Sequence, residues 1–204
     1  MTKSALIANG QVDDLSFVKS QITQYSRIIA VDGGLRYCKT MGIRPTLIVG
    51  DFDSAPKELL DEYSVPKIAL KTEKDETDLE VAIQHEINLE ATSITIFGGW
   101  GGRIDHSLTN ALLLNRFPGQ VQIETEQEIV FAISNPTKIK CKIGQTLSLL
   151  PICGPVLGIT TQGLKWELQN GTLGPDFIGI SNVCLKPEIH IEIEEGILLC
   201  SLIK

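Results

Sequence analysis

Over the first 120 or so residues, short, largely apolar runs alternate with segments apolar only at every third or fourth position. The runs are residues 5–8, 28–31, 46–49 and 94–97, and their largely apolar character fits strands buried on both faces. Between the first two, residues 13–25 carry Leu15, Val18 and Ile22 at helical spacing. A second helix follows Asp32-Gly33-Gly34 and stops at Gly42, a residue suited to the left-handed position beyond a helix end. Arg44-Pro45 leads into the next strand; Ser54 then caps a helix with Pro56 in its first turn, running through Tyr63. Thr77-Asp78-Leu79-Glu80 is a capping box, and Leu79, Ala82, Ile83 and Ile87 form the buried stripe behind it. A last helix follows Gly101-Gly102-Arg103 and is expected to bury Ile104, Leu108, Ala111 and Leu112. Repeated strand–helix–strand units predict a parallel sheet covered on both sides.

Beyond residue 123 the period changes to two. Residues 129–133, 146–150, 190–194 and 197–203 alternate and are separated by Gly, Pro and Asn, with Glu195-Gly196 as the turn of a closing hairpin. The expected fold is therefore an N-terminal parallel-sheet α/β domain over residues 1–122, followed by a C-terminal antiparallel β-sandwich over residues 123–204.

Composition narrows the function. A net charge of -7 with no Lys/Arg stripe argues against nucleic acid as a partner. The five cysteines are scattered and never spaced Cys-x-x-Cys, which favours reduced thiols over a zinc site or a disulfide framework. Met1-Thr2-Lys3-Ser4 enters a strand directly, and no apolar run is long enough to span a bilayer. A cytoplasmic protein without a membrane partner is expected.

The chemistry is concentrated where strands end. Residues 28–31 run into Asp32-Gly33-Gly34, and residues 46–49 into Gly50-Asp51-Phe52-Asp53-Ser54. Residues 94–97 run into Gly98-Gly99-Trp100-Gly101-Gly102-Arg103-Ile104-Asp105-His106. In an open parallel sheet such loops converge on one crevice. With Asp78 of the loop Glu73-Lys74-Asp75-Glu76-Thr77-Asp78 added to Asp32, Asp51, Asp53 and Asp105, five carboxylates would repel one another unless a cation sits among them. Oxygen ligands select a hard cation, and Mg²⁺ usually arrives with substrate phosphates.

Competing readings stand beside this one. No Gly-x-x-x-x-Gly-Lys-Ser/Thr occurs, and Ile104 stands where a dinucleotide fingerprint needs Gly or Ala. The glycine loop is either a tight turn or a phosphate cradle, and the adjoining Arg103 favours the cradle. Asp51 and Asp53 could merely complement a helix dipole. They also fit the nucleophile loop of haloacid-dehalogenase phosphatases, although Ala55 replaces its Thr/Val and the loop follows the third strand. Thr77 caps its helix in any case, while Asp78 can turn back over the helix start as a third ligand. Asp105 is a first-turn acid or a site residue; His106 reads as structural, and His85 and His190 as surface residues. Trp100 and Trp166 are either core or site.

In this order, Asp32-Gly33-Gly34, Gly50-Asp51-Phe52-Asp53-Ser54, Lys74-Asp75-x-Thr77-Asp78 and Gly98-Gly99-x-Gly101-Gly102-Arg103-x-Asp105-His106 resemble the thiamine pyrophosphokinase family. Gly163-Leu164-Lys165-Trp166 and Gly179-Ile180-Ser181-Asn182 resemble that family's C-terminal substrate-binding motifs. The resemblance implies transfer of pyrophosphate from MgATP to thiamine by a homodimer that holds thiamine at the subunit interface. It implies Mg²⁺ on Asp51, Asp53 and Asp78, with Arg103 and Asp105 joining them in catalysis. Asp32, Gly33, Gly34, Ser54, Lys74, Thr77, Gly99, Gly101, Gly102 and Arg103 fall on the nucleotide side, and Trp166, Ser181 and Asn182 on the thiamine side. Leu35-Arg36 departs from the family's usual Ala and Asn, leaving Arg36 to contact a phosphate or face solvent. Asp53 and Asp105 are candidates for a general base by position only. The rivals are a pterin-alcohol pyrophosphokinase on the same architecture and a nucleotide-binding module without catalysis.

Overall fold

The largely apolar runs become the middle of a parallel sheet. The computed structural model describes residues 2–52 and 57–204, without the Lys57 side chain, so the expectations for Asp53, Ser54 and Pro56 lie outside the described residues. Chain order begins β1 (Lys3–Ile7), α1 (Leu15–Ile22), β2 (Arg27–Val31), α2 (Gly34–Met41), β3 (Leu47–Gly50), α3 (Lys57–Asp61) and β4 (Lys67–Ala69). It continues with α4 (Asp78–Asn88), β5 (Ser93–Phe97) and α5 (Ile104–Leu114). The strands lie in the order β5-β1-β2-β3-β4, every pair parallel. Strand order reverses between β1 and β5, and the loops beyond these strands are stitched together by Gly10 N–H donating to Gly98 O at 2.7 Å.

Helix ends follow the local chemistry. Asp14 accepts from the backbone N–H groups of Ser16 (2.8 Å) and Phe17 (3.1 Å), so α1 begins later than the apolar spacing suggests, and it ends at Ile22. Gly42 takes the left-handed conformation (φ 67°) that closes α2. Thr77 Oγ1 accepts from Glu80 N–H at 3.1 Å to start α4. On α4 the inward face is Leu79, Ala82, Ile83 and Glu86; Ile87, expected in the buried stripe, is only half-buried because Glu86 takes the inward position.

α5 departs further from expectation. Ala111, Leu113 and Leu114 face inward, whereas Ile104, Leu108 and Leu112 are exposed, Ile104 by 76%. The helix is apolar on two sides, and spacing alone does not say which side is covered.

The C-terminal strands build two antiparallel layers. β7 (Glu128–Ile133), β9 (Thr146–Leu150), β12 (Gly179–Val183) and β14 (Leu198–Ile203) lie in the order β12-β9-β14-β7. β8 (Thr137–Lys140), β10 (Val156–Gln162), β11 (Gly171–Leu173) and β13 (Glu188–Glu192) form the second layer, ordered β11-β10-β13-β8. Leu147, Leu149, Ile159, Ile189, Leu198 and Cys200 fill the core they share. Glu195-Gly196 is therefore not a hairpin turn: β13 pairs with β10 and β8, and β14 with β7 and β9, so the connection carries the chain from one layer to the other. Two alternating strands joined by a glycine turn read alike whether they pair or cross over the core. Gly196 (φ 101°) permits the crossover close to Pro155 and Val156.

By backbone contacts the chain falls into Met1–Ser107 with Ile123–Glu126, and Leu108–Gln122 with Gln127–Lys204; the division runs through α5 and through β6 (Val121–Glu124). No helix among the described residues is long and apolar enough to cross a membrane.

Gly34 shows how tightly the first unit is closed, since a Cβ there would stand 1.9 Å from Ile7 O. Gly34→Ala is therefore expected to lower the thermal unfolding midpoint well below that of Gly42→Ala. At residue 42 a Cβ meets nothing within 4 Å, and only the left-handed backbone costs, by roughly 1–2 kcal/mol. Equal midpoints for the two variants, followed by circular dichroism, would contradict this packing.

Candidate functional site

Asp32 is the first residue beyond β2 and is held at φ 48°, a conformation that a short polar side chain tolerates. Its N–H donates to Val49 O at 2.8 Å, so the turn after β2 is clamped to the strand beside it. Gly50 makes room, since a Cβ there would come within 3.2 Å of the Asp32 Cα. Asp51 follows β3 directly, and Asp78 opens α4. Among the described residues, one carboxylate oxygen from each of Asp32, Asp51 and Asp78 lies within 4.8 Å of the others, all three side chains half-buried.

This cluster differs in membership from the expected Asp51, Asp53 and Asp78. Asp32, read from the sequence as a nucleotide-side residue, stands with Asp51 and Asp78, and Asp53 lies outside the described residues. The signal for Asp32 was present in its position at a strand end; the left-handed backbone that aims it at the cluster is not readable from spacing. Lys74 reaches the same place, with Nζ 2.5 Å from Asp78 Oδ1 and donating to Lys71 O at 3.1 Å. An ammonium beside one of the three carboxylates offsets part of their mutual repulsion.

The glycine loop after β5 is organised by a residue the motifs did not single out. Ser107 Oγ accepts from Gly101 N–H at 3.1 Å and donates to Arg103 O at 3.2 Å, tying the loop to the first turn of α5. Gly101 (φ 86°) and Gly102 (φ 75°) both occupy the left-handed region. Arg103 forms a two-point pair with Asp105, Nε to Oδ1 at 3.1 Å and Nη2 to Oδ2 at 2.5 Å. The guanidinium holds the Asp105 carboxyl below its ordinary pKa, and the carboxylate raises that of Arg103. Both side chains are mostly exposed, so the pair is weakly held and the guanidinium can exchange its carboxylate for a phosphate. His106, Arg36 and Thr77 are exposed; His190 is partly exposed and hydrogen-bonded to Glu188 at 2.8 Å. Gly33 and Gly34 are buried at the start of α2, where a Cβ on Gly33 would meet the Asn9 amide at 2.3 Å.

In the sandwich, Trp166 is 57% exposed and so is not a core residue. The Asn182 side chain holds its backbone: Nδ2 donates to Trp166 O at 2.7 Å, and Oδ1 accepts from the N–H of Trp166 (3.1 Å) and of Val183 (2.9 Å). Lys165 Nζ stands 4.6 Å from the centre of the Trp166 ring, a cation–π contact. Ser181 adopts φ 59° where the pairing of β12 with β9 shifts register, and its N–H donates to Ser148 Oγ at 3.0 Å. Such bulges re-aim side chains.

Comparison with known proteins agrees with this layout. Residues 18–127, more than half of the 204-residue chain, match the family "Thiamin pyrophosphokinase, catalytic domain". The chain belongs to the thiamin pyrophosphokinase family. Residues 132–198 match the companion "Thiamin pyrophosphokinase, vitamin B1 binding domain". Thiamine pyrophosphokinase of Bacillus subtilis is 27% identical over 204 residues, covering 95% of either chain. Thiamine pyrophosphokinase 2 of Arabidopsis thaliana is 28% identical over 171 residues, 76% of this chain but 64% of the plant protein's length. The crystal structure of the Geobacillus thermodenitrificans thiamin pyrophosphokinase shares the fold, with a TM-score of 0.86 at 24% identity, covering 100% of this chain and 98% of that one.

Because its ring packs outside the core, Trp166→Ala is expected to change stability by no more than about 0.5 kcal/mol. Loss of a core Trp would cost about 3–5 kcal/mol, so a large fall in the unfolding midpoint would return Trp166 to a packing role.

Proposed function

We propose that the chain is a thiamine diphosphokinase, transferring the pyrophosphoryl group of ATP to the hydroxyl of thiamine to give thiamine diphosphate and AMP. The observation that carries this reading is the meeting of Asp32, Asp51 and Asp78 at the strand ends of a chain that matches the family's catalytic and vitamin B1 binding domains in turn. In this reading residues 1–122 hold the nucleotide and residues 123–204 hold thiamine.

The donor set suits Mg²⁺: it is oxygen only, three carboxylates within 4.8 Å, with no His or Cys in the group. Asp32, Asp51 and Asp78 would hold the ion, with Asp53 a further ligand by sequence position. When bound, it would neutralise phosphate charge. The remaining work falls to the protein's own groups. Lys74 adds positive charge beside Asp78, and Arg103 takes phosphate oxygens on leaving Asp105. The glycines around Arg103 let the nucleotide come close to the backbone.

In the transfer the thiamine hydroxyl oxygen bonds to the β-phosphorus while the bond from that phosphorus to the α,β-bridging oxygen breaks. The electron pair leaves with AMP, and the hydroxyl proton passes to a nearby carboxylate or to water. Alignment and charge neutralisation dominate such a reaction, so no strong base is required. Trp166 offers a ring face to the flat thiamine cation; Asn182 fixes the loop carrying that ring, and Ser181 lines the same motif. The five free cysteines support a reducing, cytoplasmic location.

Incubation with ATP, Mg²⁺ and thiamine is expected to yield AMP and thiamine diphosphate in equal amounts, and Asp51→Asn to slow this by about 10² or more. ADP with thiamine monophosphate would overturn the pyrophosphoryl reading. AMP formed only with a pterin alcohol would transfer it to another substrate, and ATP binding without AMP would leave a binding module.

The active form is proposed to be a homodimer with thiamine at the subunit interface. The exposed Ile104, Leu108 and Leu112 of α5 and the exposed Ile180 of β12 support this, since apolar side chains gain by cover. Light scattering is expected to give twice the chain mass at assay concentration; a fully active monomer would contradict it.

A further inference from the structure

Glu86 is fully buried, yet it carries a carboxylate. Arg27 donates to it twice, Nε to Oε2 and Nη2 to Oε1, both at 2.8 Å. Ser4 donates its hydroxyl to Oε2 at 2.6 Å. Ser4 and Arg27 are paired residues of β1 and β2, so a single carboxylate on α4 grips two adjacent strands. Buried ion pairs are weak evidence for stability, because desolvation offsets their attraction; their best-attested use is to set register.

The placement says which register is being set. Arg27 opens β2, and Asp32 follows its end; Asp78 opens α4, and Glu86 lies eight residues later, about 12 Å along the helix. The same strand and helix, running in opposite directions, meet twice: at Arg27–Glu86 and at Asp32–Asp78. The rest of the inward face of α4 is Leu79, Ala82 and Ile83, an apolar stripe that would tolerate small slides along the sheet. Between β4 and α4, residues 70–77 have no regular structure, and their tie to Asp78 through Lys74 is local, four residues along the chain.

We propose that Glu86, with Arg27 and Ser4, is a positioning group for the cation site: it fixes α4 along its axis so that Asp78 meets Asp32 and Asp51. None of the three touches the cation. The inference rests on the metal reading above, but it predicts something separate, namely that a contact at the far end of the helix governs cation affinity.

The test is titration of the full-length protein with Mn²⁺, followed by electron paramagnetic resonance, alongside thermal unfolding. The proteins compared are wild type, Asp78→Asn, Glu86→Gln and the double variant Arg27→Met/Glu86→Leu. The double variant replaces the pair with apolar side chains of similar reach, which keeps or raises stability in well-packed sites. Both Glu86 variants are expected to bind Mn²⁺ at least about tenfold more weakly than wild type, as when groups that orient metal ligands are removed. The double variant is expected to do so while its unfolding midpoint is restored. The apparent Mg²⁺ requirement for AMP formation should rise in step, with kcat at saturating Mg²⁺ changing less. Wild-type affinity in the double variant would overturn the proposal while leaving the metal site standing, as would weakening that tracks only the loss of stability. Absence of Mn²⁺ binding in wild type, or binding unaffected by Asp78→Asn, would overturn the metal reading and this proposal with it.

Discussion

Three carboxylates within 4.8 Å of one another are the constraint around which the first unit is arranged. Left alone they repel, so the backbone must hold them there at a cost, and that cost is met by elements made for other reasons. Parallel strands end in loops on one edge of the sheet, which brings the turns after β2 and β3 side by side. Asp32 N–H bound to Val49 O locks those turns together, and Gly50 allows the approach. The third acid comes on the first turn of α4, where the free N–H groups of a helix favour negative charge. Lys74 supplies a cation beside the acids through its pair with Asp78, and Arg103 is paired with Asp105 in the glycine loop. Carboxylates gathered in this way favour a cation among them.

The sandwich solves a different problem. In the proposed function it must present a flat organic cation with an exposed aromatic face that does not collapse into the core. The Asn182 side chain pairs with both the N–H and the C=O of Trp166, as a neighbouring strand would, and so fixes the loop without covering the ring. Lys165 rests on that ring instead. In the proposed function the Lys165 charge moves aside on its flexible stem and the thiamine cation takes its place on the ring.

What could be read in the sequence was mostly local. The end of α2 at Gly42 and the start of α4 at Thr77 follow from single residues whose conformational preferences are strong. The change from alternating strands and helices to successive strand-like segments separated a parallel sheet from an antiparallel sandwich, and the ordered acidic and glycine loops pointed to the family. What could not be read depended on three-dimensional cover. α5 is apolar on two sides, and Leu113 rather than Leu112 faces inward. Glu195-Gly196 joins strands of different layers, which alternate as paired strands do. Asp32 joins the acid cluster through a left-handed backbone, and Glu86 enters a buried face because Arg27 and Ser4 await it from other strands. Each of these outcomes is set by partners distant in sequence.

The central claim is that the cation binds to protein carboxylates at the strand ends and not to nucleotide alone. Crystals grown with Mn²⁺ and a non-hydrolysable ATP analogue, measured at a wavelength where manganese scatters anomalously, test it directly. The account predicts an anomalous peak in contact with the carboxylates of Asp32, Asp51 and Asp78 and with analogue phosphate oxygens. A peak held by phosphates alone, with the Asp32, Asp51 and Asp78 side chains turned away from it, would contradict it.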